Sequence, residues 1–196
     1  MTTDNSVATR TTPRDSDTHR AGNLLAAGAG LFATGVAGEW VLGPQRPDGE
    51  VLAPVAFAVC VGVSLVGAVL MVRGVAGTAG AVPERRAVRW GRRTTLAGAV
   101  LLTLAVAAVL VTGLLAGTPH AASFVPYGLG VLALAVGPLM LGTGARRARP
   151  ALGATLVGAG VAAFASVAIP VDPWHDVSLM VMLAAWAAAG VLLRRS

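Results

Sequence analysis

The side chains in this sequence that could do chemistry are a few acids and imidazoles that lie between long apolar segments or at their ends. Together, carboxylates and imidazoles can bind a cation, ligate a divalent ion such as zinc, or transfer a proton. Their spacing matches no metal-binding motif, and they could equally form a solvated polar rim with Trp174 as an interfacial anchor. Both interpretations stay open for five residues: Glu39, His120, Asp172, His175 and Asp176.

Glu39 lies nineteen residues after Arg20, about 28 Å along a helix, so we expect it near the edge of the hydrocarbon core. An acid at this depth suggests a proton carrier, a cation ligand or a general acid, and Asp176 is the other candidate for a general acid. The alternative places Glu39 at the headgroup level, paired with Arg46. Tyr127 could line a ligand-binding pocket below the same rim.

An arginine-rich segment in the middle of the chain is the second group of candidates. Pro83 suits the first position of a helix, and the arginines that follow can share one face with Trp90 nearby. This pattern predicts a short interfacial helix on anionic lipid. A regulatory lipid site, a partner site and a plain topology signal are the alternatives. The residues assigned to lipid headgroups are Arg85, Arg89, Arg92 and Arg93.

Six apolar segments of bilayer-spanning length carry these residues. The chain has 196 residues, of which 55% are hydrophobic and 12% charged, about half the charge of a soluble domain. Residues 1–20 are polar and predict a disordered cytoplasmic tail, followed by a first span that is retained and not cleaved. The rest, 21–196, predicts one all-α bundle of six transmembrane helices over residues 22–43, 51–72, 95–116, 122–142, 151–171 and 174–193.

The positions of the arginines predict how the bundle is oriented. Fourteen of the fifteen basic residues lie in the two terminal segments and in alternate loops, and Arg46 alone lies on the other side. Because arginine-rich loops stay in the cytoplasm, we expect both termini there. The Ala, Gly and Val content, with arginine as the sole basic residue type, is typical of a high-GC bacterial genome. The predicted location is therefore the bacterial plasma membrane.

What the sequence lacks argues against several functions. The chain has no lysine and so no P-loop. Its single cysteine, Cys60, excludes an intrachain disulfide and a redox pair. The net charge of +6 fits anionic lipid better than nucleic acid, because the base-stacking aromatics that nucleic-acid binding uses are missing. We predict no cofactor, no metal and no nucleic acid.

Small residues recur every fourth position in three of the spans. Such residues share a helix face and let two backbones approach closely. We expect them to pack helices within one chain, and a homo-oligomer face is the alternative. The three sets are Ala26, Gly30, Thr34 and Gly38; Ala56, Cys60, Ser64 and Ala68; and Ala154, Gly158, Ala162 and Ser166.

The fourth span and the loop before it carry Gly117-Thr118-Pro119-His120, Tyr127-Gly128-Leu129-Gly130 and Gly137-Pro138-Leu139, followed by a short arginine turn. This arrangement resembles a family of small six-span bacterial membrane proteins known only as a domain of unknown function. Glu39 and Trp40, at the end of the first span, are similar in layout. The resemblance implies six helices and no activity.

Three functions are compatible with these patterns. The first is a non-enzymatic accessory or assembly protein that offers helix faces to a membrane protein partner or to a second copy. The second is a small transporter or ligand-binding bundle with the Glu, His and Asp residues as its polar site. The third is a membrane enzyme that acts on a lipid or isoprenoid, with Glu39 or Asp176 as general acid.

Overall fold

The computed structural model describes residues 13–43, 45, 50–79, 81–83, 85–119, 124–168 and 174–195, with side chains from residue 16 onward. Within these ranges the chain is all-helical, and the one β-type contact is an isolated bridge between Gln45 and Val51. All six helices are long and apolar enough to span a membrane. They are α1 (Pro13–Leu42), α2 (Pro54–Gly77), α3 (Arg86–Ala116), α4 (Phe124–Ala145), α5 (Pro150–Ala168) and α6 (Trp174–Arg194).

The number of helices agrees with the sequence analysis, but two helix starts differ. The prediction of a disordered tail over residues 1–20 is wrong from residue 13 onward, because α1 begins at Pro13 and buries Thr18 against the bundle. The short interfacial helix predicted after Pro83 is also wrong. Residues 86–93 form the first turns of the 31-residue α3, which buries Val88 and Gly91 and continues through Thr95 without a break. Residues 1–12 lie outside the described part.

The six helices form a closed ring. Each described helix packs on its neighbours in the chain, and α6 packs on α1, whereas the backbones of helices that are not neighbours in the ring stay apart. None of these helices therefore occupies the axis, and the core is built from side chains that point inward. Met182, Leu134 and Leu102 are buried near the middle of α6, α4 and α3. The buried interior is therefore apolar halfway along these three helices.

Pairs of glycines set the distances between neighbouring helices. A methyl group at Gly67 of α2 would lie 2.5 Å from the backbone N of Phe32 and 2.6 Å from the carbonyl O of Gly28 on α1. A methyl group at Gly190 of α6 would lie 2.6 Å from the carbonyl O of Gly22. Backbones that are this close gain dispersion contacts, which hold helices together where lipid removes the hydrophobic drive between them.

The small residues of the three sets have two different environments in the structure. On α2, Cys60, Ser64 and Ala68 are buried within the chain, as expected for intramolecular packing. Gly30 on α1 and Gly158 on α5 face outward, and a methyl group at either would meet nothing within 4 Å. These two glycines pack no helix of this chain, so the homo-oligomer alternative for their faces stays a prediction.

Candidate functional site

One end of the ring holds a cavity of about 280 Å³, which we call the acidic-end cavity. Five of the six helices contribute to its wall: α1, α2, α3, α4 and α6. The volume is close to the lower limit of the roughly 300–1,000 Å³ typical of small-molecule sites. Its lining residues are Phe32, Val36, Glu39, Trp40, Val61, Ser64, Val106, Val109, Phe124, Tyr127, His175, Asp176 and Leu179.

Glu39 reaches the cavity from the last turn of α1. Residues 32, 36, 39 and 40 share one face of that helix because they are spaced by three or four positions. Next to this face α1 contacts α2: a methyl group at Gly35 would collide with Ser64, and one at Gly38 would lie 2.9 Å from Cys60 Sγ. This close packing fixes the rotation of α1. It holds the half-buried Glu39 towards the ring interior, three residues before the helix ends at Leu42.

His175 and Asp176 enter the cavity from the first turn of α6. His175 Nδ1 lies 2.6 Å from the carbonyl oxygen of Ser166 at the end of α5. A carbonyl oxygen can only accept, so Nδ1 donates, and in the neutral ring Nε2 is left as an acceptor. The Ser166 hydroxyl donates to the carbonyl oxygen of Ala163 at 2.8 Å and is itself buried. The end of α5 therefore orients the imidazole.

Aromatic side chains form much of the remaining wall. The chain has four phenylalanines, four tryptophans and one tyrosine, and four of these nine line the acidic-end cavity: Phe32, Trp40, Phe124 and Tyr127. The face of an aromatic ring attracts a cation through its quadrupole. The combination of two carboxylates with several aromatic rings thus favours a positively charged ligand.

Ser64 is a polar group that the sequence analysis considered only as a packing residue. Its side chain is 3% exposed and lines the cavity. Its Oγ has no hydrogen-bond partner among the described residues. A buried hydroxyl without a partner is unfavourable by about 1–3 kcal/mol. Ser64 is thus poised to hydrogen-bond a molecule in the cavity.

The structure brings three of the five polar-rim candidates, Glu39, His175 and Asp176, to this one cavity together with Tyr127. His120 and Asp172 lie outside the described residues, as does Arg46, the expected partner of Glu39. Among the described residues, no three His, Cys, Asp or Glu side chains are grouped as a metal ion would require.

The four arginines assigned to lipid headgroups separate into two kinds. Arg89 and Arg92, one turn apart on α3, line a second cavity at the opposite end of the ring. Arg93 instead stacks on Trp90, with its Cζ atom 5.9 Å from the ring centroid. Arg85 precedes the helix as its N-cap residue. Headgroup binding by any of the four stays a prediction.

Sequence reasoning missed Phe32, Trp40 and Phe124 as cavity residues. Phenylalanine in an apolar span gives no signal that separates a cavity wall from a lipid-facing surface. Ser64 did give one, since it is a lone hydroxyl in the middle of an otherwise apolar segment. Comparison of the chain with family models, with curated proteins and with solved structures finds no match. The resemblance to a six-span family therefore stays a prediction.

Proposed function

We propose that this protein is a membrane-embedded binding protein for a small organic cation, with the acidic-end cavity as its site. The observation that carries this proposal is the convergence of Glu39 and Asp176 on a cavity that also contains four aromatic side chains. Two like charges that face one space attract a cation. Aromatic faces favour an ammonium group that has left water.

Each polar group in the cavity has a role in this proposal. Glu39 and Asp176 supply the charge that holds the ligand. His175 Nε2, left as an acceptor by the hydrogen bond at Nδ1, and Ser64 Oγ can bind an N–H or O–H group of the ligand. Trp40, Phe124 and Tyr127 surround its apolar part. The two acids give affinity for a positively charged ligand, whereas His175 and Ser64 select ligands that carry hydrogen-bonding groups.

Binding fits the interior better than conduction of the cation through the ring. Halfway along the ring the buried side chains are apolar, among them Met182, Leu134 and Leu102. The cavity at the opposite end is lined by Arg89 and Arg92, whose charges repel a cation. A cation that entered at the acidic end would meet both barriers in turn.

The proposal includes the orientation and location predicted from the sequence. With the arginine-rich loops in the cytoplasm of a bacterial cell, the acidic-end cavity opens to the outer face. An accessory role and a lipid-converting activity stay predictions. The accessory role would use the outward faces around Gly30 and Gly158, and the enzyme would use Glu39 or Asp176 as general acid.

The test compares a cation with its neutral isostere. Choline and 3,3-dimethyl-1-butanol have the same shape, but only choline is charged. We expect the full-length protein in dodecyl maltoside to bind choline in calorimetric titrations, and to bind the neutral alcohol at least about tenfold more weakly. Glu39→Gln and Asp176→Asn should each weaken choline binding by about ten- to a hundredfold, because each removes one charged partner.

Glu50→Gln is the matched control. Glu50 belongs to the same end of the bundle, is exposed and does not line the cavity. We expect this variant to bind choline within about twofold of the wild type, as usual for a charge at an exposed site. Equal affinity for choline and the neutral alcohol would refute the proposal. So would an equal loss in Glu50→Gln and Glu39→Gln, since the charge effect would then not arise in the cavity.

A further inference from the structure

The hydroxyl of Ser64 is a feature of the acidic-end cavity that the charge of the ligand does not explain. Glu39 and Asp176 attract a cation through their charge, whereas a serine hydroxyl is neutral. Ser64 is 3% exposed, lines the cavity and has no hydrogen-bond partner for its Oγ among the described residues. Buried polar side chains are nearly always hydrogen-bonded in folded proteins. A neutral group of the bound ligand can supply the partner of Ser64.

Ser64 lies deeper in the ring than Glu39. A methyl group at Gly38 would lie 2.9 Å from Cys60 Sγ. One at Gly35, a turn further in, would collide with Ser64 Oγ. The two helices are thus antiparallel, and Ser64 is level with Gly35, four residues or about 6 Å before Glu39. Side chains lean towards the N-terminus of their helix, so Glu39 leans inward and Ser64 leans outward. A short carbon chain is therefore enough to connect a group at the carboxylate with a group at the hydroxyl.

The wall around Ser64 is apolar. Phe32 and Val61 line the cavity within about one turn of its level. Both carboxylates of the cavity come from helix ends instead, Glu39 from the last turn of α1 and Asp176 from the first turn of α6. A second ammonium group at Ser64 would be a buried charge in apolar surroundings, which is strongly unfavourable unless it is paired. A neutral hydroxyl needs only one hydrogen bond there, so the inner group of the ligand is uncharged.

We propose that the cation bound in the acidic-end cavity is a short amino alcohol, with its ammonium group at Glu39 and its hydroxyl hydrogen-bonded to Ser64 Oγ. This inference rests on the function proposed above and narrows its ligand from any small organic cation to one that carries a hydroxyl. A hydroxyl can donate or accept, so it pairs with Ser64 in either direction. A simple alkylammonium ion leaves Ser64 Oγ without a partner, and a site built to hydrogen-bond a hydroxyl discriminates against an analogue that lacks it.

Three compounds of nearly the same shape separate the hydroxyl from the charge. Choline has both groups, and propyltrimethylammonium has the charge but a methyl group in place of the hydroxyl. The third compound, 3,3-dimethyl-1-butanol, has the hydroxyl without the charge. Each is titrated calorimetrically into the full-length protein in dodecyl maltoside. We expect choline to bind about tenfold more tightly than propyltrimethylammonium, because only choline satisfies the buried hydroxyl.

Substitution of Ser64 then assigns this preference to one side chain. In Ser64→Ala, choline and propyltrimethylammonium should bind within about twofold of each other, because the partner of the hydroxyl is gone. Propyltrimethylammonium should bind as it does to the wild type, which shows that the cavity is intact. Ser178→Ala is the matched control, because Ser178 is a half-buried serine near the start of α6 that does not line the cavity. This variant should keep the full preference for choline.

The outcomes distinguish failure of this inference from failure of the cation site. If choline and propyltrimethylammonium bind equally well to the wild type and the neutral alcohol binds more weakly, the amino-alcohol inference is overturned and the cation site stands. If the neutral alcohol binds as tightly as choline, or if choline does not bind, both are overturned. A preference for choline that survives in Ser64→Ala also overturns the inference, since another group would then recognise the hydroxyl. Ser64→Cys, which is similar in size and a weak hydrogen-bonding partner, replaces Ser64→Ala if that variant does not fold.

Discussion

Replacement of Gly67 by alanine should loosen the contact between α1 and α2 that holds Glu39 at the acidic-end cavity. The added methyl group would lie 2.5 Å from the backbone N of Phe32, 2.6 Å from the carbonyl O of Gly28 and 2.9 Å from Phe32 Cα. All three atoms belong to the α1 backbone. No side-chain rotation can relieve the collision, so the two helices must move apart.

The size of the effect follows from two opposing terms. Alanine is a better helix former than glycine by about 0.8–1 kcal/mol. Overpacking of a tight contact destabilises by about 1–3 kcal/mol, and backbone neighbours place Gly67→Ala in the upper part of that range. Gly62→Ala is the matched control, since it lies on the same helix and its methyl group meets nothing within 4 Å. The propensity term is common to both variants, so their difference isolates the steric cost of about 1–3 kcal/mol.

The assay is reversible unfolding of the two variants by sodium dodecyl sulfate in mixed micelles with dodecyl maltoside, followed by circular dichroism. We expect Gly62→Ala to be at least as stable as the wild type and Gly67→Ala to be clearly less stable. Choline affinity should fall in Gly67→Ala as well, because Glu39 and Ser64 lie on the two helices that are forced apart. Stabilities within about 0.5 kcal/mol of each other would refute the reasoning that a backbone contact at Gly67 positions the site.

Three other changes test separate parts of the structure. Ser64→Ala should weaken choline binding by up to about tenfold, as expected for the loss of one hydrogen bond from the cavity wall; an unchanged affinity would contradict the role given to Ser64. Gly30→Leu should leave stability and choline affinity unchanged, since a methyl group added at Gly30 meets no atom within 4 Å. If this variant loses an oligomer or a co-purifying chain, the result would support an accessory role. The predicted orientation is tested by two fusions after Ser196. Green fluorescent protein fused there should fluoresce and alkaline phosphatase should be inactive, because both report a cytoplasmic C-terminus. The reverse pattern would show that the C-terminus lies outside.

The number and type of the helices could be predicted from the sequence because the bilayer allows few alternatives. An apolar segment of about 20 residues has to be helical in lipid, and each of the six segments forms one helix. The helix ends could not be predicted as well. Arginines interrupt the apolar pattern before Thr95, but α3 extends back to Arg86 because long arginine side chains can reach the headgroups from a helix that continues out of the core.

The residues of the candidate site could be predicted in part, but their convergence could not. Glu39, Tyr127, His175 and Asp176 are polar residues at the ends of apolar spans, which is a signal in the sequence alone. Their meeting depends on α6 packing against α1, and the Gly22–Gly190 contact that brings these helices together is formed by two of twenty-five glycines. Nothing in the sequence marks those two among the rest.

The interior of the ring places opposite chemistry at its two ends. The acidic-end cavity is lined by carboxylates and aromatic rings, whereas Arg89, Arg92 and Trp186 line the second cavity at the opposite end of the ring. Apolar side chains are buried between the two cavities, and the cavities share no lining residue. A ring of six helices with no helix on its axis makes this possible, because it leaves interior space at both ends while small residues hold the walls in close contact. Gly22 and Gly190 hold α1 and α6 in contact at the end of the ring that holds these arginines, and these two helices extend from there to line the acidic-end cavity as well.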